Sequence, residues 1–439
     1  MAIQYEQNSN TENPSFNVLV IGAGLAGLAT AISIQQAGHQ VTVLERMPEI
    51  REIGAGIQVS PNGTRLLRDW GILEAVQSHA FQPQKTFLRS YRGGPPLAAQ
   101  RMDMPSIEHD TAPYVLLHRA DLHRVLRERA ESLGAKITLN AVIESMHIDT
   151  AKPSVRLQDG RVFEADVILG ADGERSICRD KLLGREDFPK NTNNLVYRFT
   201  VPASEVRQHK DLIELVDPPN VNLWMGPRSH VVSYVVKKDG LLNVALMLPQ
   251  EPQDKTEYGV QPAAIEELRE VFTHWDEKFG ALLNMAQQSA KWTLLHADGL
   301  EKWTHEKGRF ALIGDSAHAM MPCLAQGASQ CFEDAAVLGT LFGAIQRPEQ
   351  LDDVLSLYER LRKPRAMEVR RRSSQAMGEL SMPDGPEQEG RDNELSSSTP
   401  CEVFPVSLMD PSFQNWLWGY NASEEAMNVW KEHSREVVA

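Results

Sequence analysis

The sequence predicts an α/β chain: a parallel sheet covered by helices, interrupted by a mostly antiparallel sheet and followed by a helical tail. Three observations lead there. Gly22-Ala23-Gly24-Leu25-Ala26-Gly27 separates two apolar runs of strand length. Between about 186 and 285 the texture changes to short alternating runs parted by Pro, Gly, Asp and Asn, as an antiparallel sheet requires. Past a stretch rich in Pro, Gly, Ser and acids stands an aromatic cluster, Trp416-Leu417-Trp418-Gly419-Tyr420.

Residues 1–15 are polar and read as a disordered tail. Residues 18–21 form a buried strand, 25–37 a helix, and 41–44 a second strand ending at Glu45. So short a crossover makes a βαβ unit, and βαβ units make parallel sheets. Asp121 is placed to cap a helix carrying Leu122, Val125, Leu126 and Ala130. Residues 167–169 and 310–313 are apolar strands running into turns. The middle segment supplies strands at 195–201, 212–216, 221–225, 230–237 and 242–248. The expected domains are a discontinuous one at 16–185 and 286–375, an inserted sheet at 186–285, and a tail at 376–439 with a mobile loop at about 382–400.

Composition narrows the function. At 439 residues, 42% hydrophobic and 24% charged, the chain has material for about two or three domains and is not disordered overall. A net charge of −14 repels phosphate backbones and argues against nucleic acid as a partner. The four cysteines (Cys178, Cys323, Cys331, Cys401) have no C-x-x-C spacing, so free thiols in a reducing, cytoplasmic setting are expected. No metal is expected, since the thirteen histidines include no H-E-x-x-H. Residues 1–17 lack Lys and Arg, unlike a secretory or mitochondrial leader. Residues 13–44 carry no charge, but Gly22, Gly24, Gly27 and Gly38 punctuate them, so no membrane span is expected.

Gly22 makes the turn after the first strand, Gly24 lets a pyrophosphate approach the backbone, and Gly27 lets helix and strand pack closely. The phosphates meet free N–H groups at the positive end of the helix. Glu45, 18 residues past Gly27, is placed to accept hydrogen bonds from a ribose diol. With strand, helix and acid in register, this is a Rossmann-like adenine-dinucleotide site, and the acid favours FAD or NAD over NADP.

Three further segments carry a resemblance. Asp172-Gly173-Glu174-Arg175-Ser176-Ile177-Cys178-Arg179 matches D-G-x-x-S-x-x-R, and Gly314-Asp315-Ser316-Ala317-His318-Ala319-Met320-Met321-Pro322 matches G-D-x-x-H-x-x-x-P. His118-Arg119-Ala120-Asp121-Leu122 is similar to a segment whose Arg contacts FAD. Together they resemble the single-component (group A) FAD-dependent aromatic monooxygenases, salicylate-hydroxylase-like and of fungal type, over about 16–375 and again at 416–420. The resemblance implies one non-covalent FAD, NADPH or NADH as co-substrate, and O2. It implies hydroxylation of a small phenolic or acidic aromatic through a flavin hydroperoxide, by a monomer or homodimer without stable membrane insertion. It assigns cofactor contacts to Gly22, Gly24, Gly27, Glu45, Arg46, Ala55, Gly56, Arg119, Asp172, Asp315, Pro322, Gly327 and Ala328. Residues 54–56 would lie close to the isoalloxazine, and the helix from Gly327 would face the flavin with its positive end. Asp172 either contacts the flavin ribose or caps its own turn; Arg179 belongs either to NAD(P)H or to a surface ion pair.

Alternation along 196–200 puts Val196, Arg198 and Thr200 on one face of a strand. An Arg among inward apolar neighbours demands a partner, either a structural carboxylate or an anionic substrate. His230, Val232, Tyr234 and Val236 share a face of another strand; Tyr234 is either a core aromatic or a second substrate contact. The resemblance makes Arg198 and Tyr234 the catalytic pair that binds and activates a phenolate, with Trp224, Met225 and Trp292 as apolar walls. Two readings stand beside this one: epoxidation or dearomatisation of an indole or polyketide in secondary metabolism, and a flavin-binding redox sensor without catalysis. Hydrolysis is rejected because Gly314-Asp315-Ser316 comes without a G-x-S-x-G elbow.

Overall fold

The computed structural model describes residues 14–49, 56–102, 112–236, 240–250, 259–296, 299–307, 309–397 and 404–438. The first sheet is five-stranded and parallel, in the spatial order Phe310–Leu312, Val167–Gly170, Asn17–Ile21, Gln40–Leu44, Lys136–Thr138. Its strands are apolar on both faces because helices cover both. The helix Leu25–Gln36 packs against the long helix Gly327–Gly343, so residues nearly 300 positions apart build one core. The helix expected from Asp121 begins earlier, at Arg119. His118 is its N-cap and accepts from the Ala120 N–H, while Asp121 sits in the first turn.

The second sheet has eight strands, in the order Gln261–Ala263, Ser289–His296, Lys190–Pro202, Leu241–Pro249, Ser229–Val236, Val221–Gly226, Lys85–Ser90, Ala98–Arg101. It extends past the expected 186–285 in both directions. Lys85–Ser90 joins by parallel pairing with Val221–Gly226, a contact across more than a hundred residues that no local pattern encodes. One face buries Tyr197, Phe199 and Val201 under the helices Ile265–Val271 and Glu277–Met285. The opposite face looks toward the first domain and the tail.

Two expected elements differ. Residues 212–216 are not a strand: Lys210–Leu215 is a 3-10 helix, in which Leu212 and Leu215, three apart, point the same way into the core. The expected mobile loop at about 382–400 contains the helix Pro386–Ser396. Pro386 suits a first helical turn, and Gln388, Arg391 and Leu395 supply a buried stripe. Arg391 donates to the Glu379 carbonyl and fixes the segment to the 30-residue helix Leu351–Leu380. Residues 1–13 of the expected 1–15 tail, residues 50–55 with Ala55, and residues 398–403 lie outside the described residues.

Candidate active site

The glycine loop has the shape of a phosphate cradle. A Cβ on Gly22 would lie 2.4 Å from the Ala171 carbonyl oxygen, and one on Gly27 would lie 2.0 Å from that of Gly22. Gly24 differs: nothing lies within 4 Å of its Cβ position. It is the N-cap of Leu25–Gln36, and no side chain caps that helix. Glu45 accepts from the Ala23 N–H and the Met47 N–H, both at 2.9 Å, which locks its carboxylate beside the loop. A carboxylate has about four lone-pair sites, so acceptor capacity is left for a diol. Arg46, next along, is exposed. No sequence spacing points to His123, whose Nε2 lies 2.7 Å from the Ala23 carbonyl and ties a second helix to the same loop.

The second and third motifs are bound to each other. Asp172 accepts from the Ser176 hydroxyl at 2.5 Å and the Cys178 N–H at 3.1 Å, so it caps its own turn. Arg179 is neither a surface ion-pair member nor open to a dinucleotide. It is fully buried, bonding Asp187 at 2.9 Å, the Glu174 carbonyl at 2.8 Å and the Ser316 carbonyl at 3.3 Å. The Gly314–His318 turn is gripped from behind by Asp334, which accepts from the Gly314 N–H at 2.9 Å and pairs with His318 Nε2 at 2.6 Å. His318 is therefore structural. Asp315 projects from this turn; its exposed surface is the surface of a cavity, deep enough that burial raises its carboxyl pKa while His318 and Arg119 pull it back. Burial lowers the Arg119 pKa and nearby Asp315 opposes that shift.

That cavity, about 340 Å³, lies between the second sheet, the Asp315 turn, Pro322, the start of the helix at Gly327-Ala328, and the tail. Arg198 and Tyr234 both line it. Arg198 stacks on Trp292, 5.3 Å from the ring centroid, and its Nε is buried without a hydrogen bond. Among the described residues no carboxylate pairs with it. Burial pushes the Tyr234 hydroxyl up to about 12, partly offset by Arg198 and Gln58, so it remains a proton donor at physiological pH. Burial also lowers the neighbouring His230 to about 4, which keeps that imidazole neutral; its Nδ1 meets the Ser381 hydroxyl at 2.8 Å.

Gly56 makes room for Tyr234. A Cβ there would fall 2.5 Å from the Tyr234 ring and 2.6 Å from its hydroxyl oxygen. Gly56→Ala is therefore expected to displace that hydroxyl and cut turnover by on the order of tenfold or more, while the crowding of a buried ring lowers stability by about 1–3 kcal/mol; steady-state kinetics and a melting curve check it. Trp292 is a cavity wall, but Trp224 is not. Trp224 and Met225 are adjacent on one strand and must face opposite ways. Trp224 turns into the other core, where its Nε1 donates to Asp276 at 2.7 Å. Met225 faces the cavity side without lining the cavity. The aromatic tail, legible only as packing, closes the cavity with Leu408, Phe413, Leu417 and Trp418.

A glycine loop opening an uncapped helix, an acid fixed beside it, and a cavity lined by a second acid and by an Arg with no carboxylate partner among the described residues together suit a flavin dinucleotide. The FAD binding domain family matches residues 15–373. The FAD-dependent monooxygenase OpS4 of Beauveria bassiana is 38% identical, covering 92% of this chain and 95% of its own length. The 3-amino-4-hydroxybenzoate 2-monooxygenase PtmB3 of Streptomyces platensis is 34% identical over 92% of this chain and 96% of its own. A solved salicylate hydroxylase substrate complex superposes with a TM-score of 0.77 at 25% identity, covering 94% of this chain and 98% of that one. The chain belongs to the FAD binding domain family. Within it, the chain is an FAD-dependent monooxygenase. No helix among the described residues is long and apolar enough to cross a membrane.

Proposed function

We propose that this enzyme hydroxylates a phenolic or acidic aromatic held between Arg198 and Tyr234. The observation that carries the proposal is Arg198: a guanidinium in an apolar cavity, with a bare Nε and no carboxylate partner among the described residues. Leaving such a charge uncompensated is costly, and an anionic ligand supplies the missing partner. An adjacent positive charge also favours the ionised form of a phenol, the form richest in electrons on the ring. The Tyr234 hydroxyl, protonated throughout the working range, donates to the same oxygen.

FAD, when bound, supplies hydride acceptance from NAD(P)H and activation of O2. For the chain's own part, Gly24 and the first turn of its helix hold the diphosphate, Glu45 the ribose, and Arg119 and Asp315 the inner portion. The uncapped N–H groups at Gly327-Ala328 hold developing negative charge at the cavity floor. Leu417 and Trp418 keep water out. The free buried thiols Cys178, Cys323 and Cys331 fit a reducing, cytoplasmic setting.

A panel of phenolic acids, phenols and indoles, each added to the FAD-loaded protein with NAD(P)H, tests the reading. Phenolic acids are expected to accelerate NAD(P)H oxidation most. Stimulation by neutral indoles alone would move the assignment to epoxidation, and stimulation by none would favour a redox sensor. Glu45→Ala is expected to weaken FAD retention by about 1.5–3 kcal/mol, the usual worth of a hydrogen bond to a charged group; equilibrium dialysis of the flavin measures it.

A further inference from the structure

The helix Pro411–Trp418 walls the cavity with Phe413, Gln414, Leu417 and Trp418, and its C-terminal end is held from outside. The last four carbonyls of an α-helix have no intrahelical donor. Here the Gly419 N–H takes the Asn415 carbonyl, which leaves those of Trp416, Leu417 and Trp418. A basic residue in the last turn can serve such carbonyls, and this helix has none there. Two arginines from other helices serve them instead.

Arg65, on the helix Pro61–Asp69, donates to the Trp418 carbonyl at 2.9 Å and the Tyr420 carbonyl at 2.7 Å. Arg365, on Leu351–Leu380, donates to the Leu417 carbonyl at 2.8 Å and the Trp416 carbonyl at 3.4 Å. Its guanidinium also lies over the Tyr420 ring, 3.8 Å from the centroid. Both helices meet at one carboxylate: Glu333 Oε1 accepts from Asn62 of the first at 2.7 Å and from Arg365 at 2.9 Å. The next residue, Asp334, grips Gly314 at the Asp315 turn. The two arginines therefore place the wall relative to that turn. Trp418 in turn meets Tyr114, a second wall residue, edge-on at 5.8 Å between centroids.

We propose that Arg65 and Arg365 are positioning residues that set Leu417 and Trp418 against the cavity, and that this seal decides whether oxygen reaches the aromatic or leaves as hydrogen peroxide. Both outcomes draw an electron pair from NAD(P)H and a proton from solvent. With O2 and an aromatic C–H they yield C–OH and water; with O2 alone they yield hydrogen peroxide. Water admitted past the wall favours the second. The inference rests on the hydroxylation of an aromatic but requires neither Arg198 nor Tyr234.

The test counts product and peroxide per NAD(P)H in FAD-loaded protein given the most stimulating aromatic. Arg65→Met keeps the apolar stem and removes the donors. It is expected to keep its flavin and to oxidise NAD(P)H within about twofold of wild type, while product per NAD(P)H falls about threefold or more. Trp418→Ala should uncouple at least as much, and the double variant should match Trp418→Ala alone, since both act through one side chain. Leu268→Ala is the control: it opens the core on the far face of the sheet, lowers the melting temperature and should stay coupled. Full coupling in Arg65→Met, loss of its flavin, equal uncoupling in Leu268→Ala, or effects that multiply in the double variant would each overturn the assignment. A wild-type protein that hydroxylates no aromatic would instead remove the reading on which it rests.

Discussion

Arg198→Gln is expected to retain FAD, fold normally and lose productive hydroxylation. The guanidinium is the one Arg or Lys side chain among the described residues that line the cavity, and a charge-assisted hydrogen bond is worth about 1.5–3 kcal/mol, so substrate affinity should fall roughly tenfold to a hundredfold. A larger effect comes on top, because an unheld and un-ionised ring is both misplaced and less reactive. NAD(P)H oxidation that persists should end as hydrogen peroxide rather than product. Tyr234→Phe should do the same more mildly, since it removes a hydroxyl and leaves the ring. Product yield per NAD(P)H, flavin absorbance and thermal unfolding separate the cases. Were Arg198 structural, its replacement would lower stability and leave residual turnover coupled. The absence of a carboxylate partner among the described residues argues for the first outcome.

The second large effect concerns stability. Glu333 is fully buried between two arginines, with Arg362 Nη1 at 2.5 Å and Arg365 Nε at 2.7 Å, and accepts from Asn62 Nδ2 at 2.7 Å. Asp334 beside it takes Arg362 Nε at 2.8 Å while holding Gly314 and His318 from behind. This cluster joins the Asp315 turn, the Gly327–Gly343 helix and the Leu351–Leu380 helix. Glu333→Gln should cost about 3–5 kcal/mol, because it leaves buried guanidinium charge under-compensated. A melting temperature lowered by several degrees, with FAD loss preceding unfolding, is the expected result; an unchanged melting curve would contradict it. The pH dependence has a definite sign. Burial alone would raise both carboxyl pKa values, but Arg365 and Arg362 outweigh it at Glu333, and His318 and Arg362 at Asp334, so both end lowered. The unfolded chain therefore binds protons first as pH falls. The stabilisation is present above the ordinary carboxylate values of 4.5 and 3.8 and is lost as acid reaches the lowered ones.

The parts legible in the sequence are those with local causes. Gly22, Gly24, Gly27 and Glu45 lie within 24 residues in a strand–turn–helix–strand pattern, and period-two alternation was enough to put Arg198 and Tyr234 on the faces that meet the cavity. The same rule, applied to Trp224, would have barred it from sharing a wall with Met225. What stayed hidden depends on chain returning from far away. Lys85–Ser90 pairs with a strand it precedes by some 130 residues, and the tail comes back to seal a cavity built mainly before residue 330. The Asp334 grip had one visible signal: Glu333-Asp334 in an otherwise uncharged helix, and Arg362 and Arg365 three apart in the next. Charges at such spacings, on faces that must be buried, call for one another.

The most direct test follows the oxygen. FAD-loaded protein is given NAD(P)H, oxygen-18 gas and the most stimulating phenolic acid, and the product mass is measured alongside peroxide. The account predicts one labelled oxygen atom in the product for nearly every NAD(P)H consumed, with little peroxide. All labelled oxygen recovered as hydrogen peroxide, and an unmodified aromatic, would contradict it.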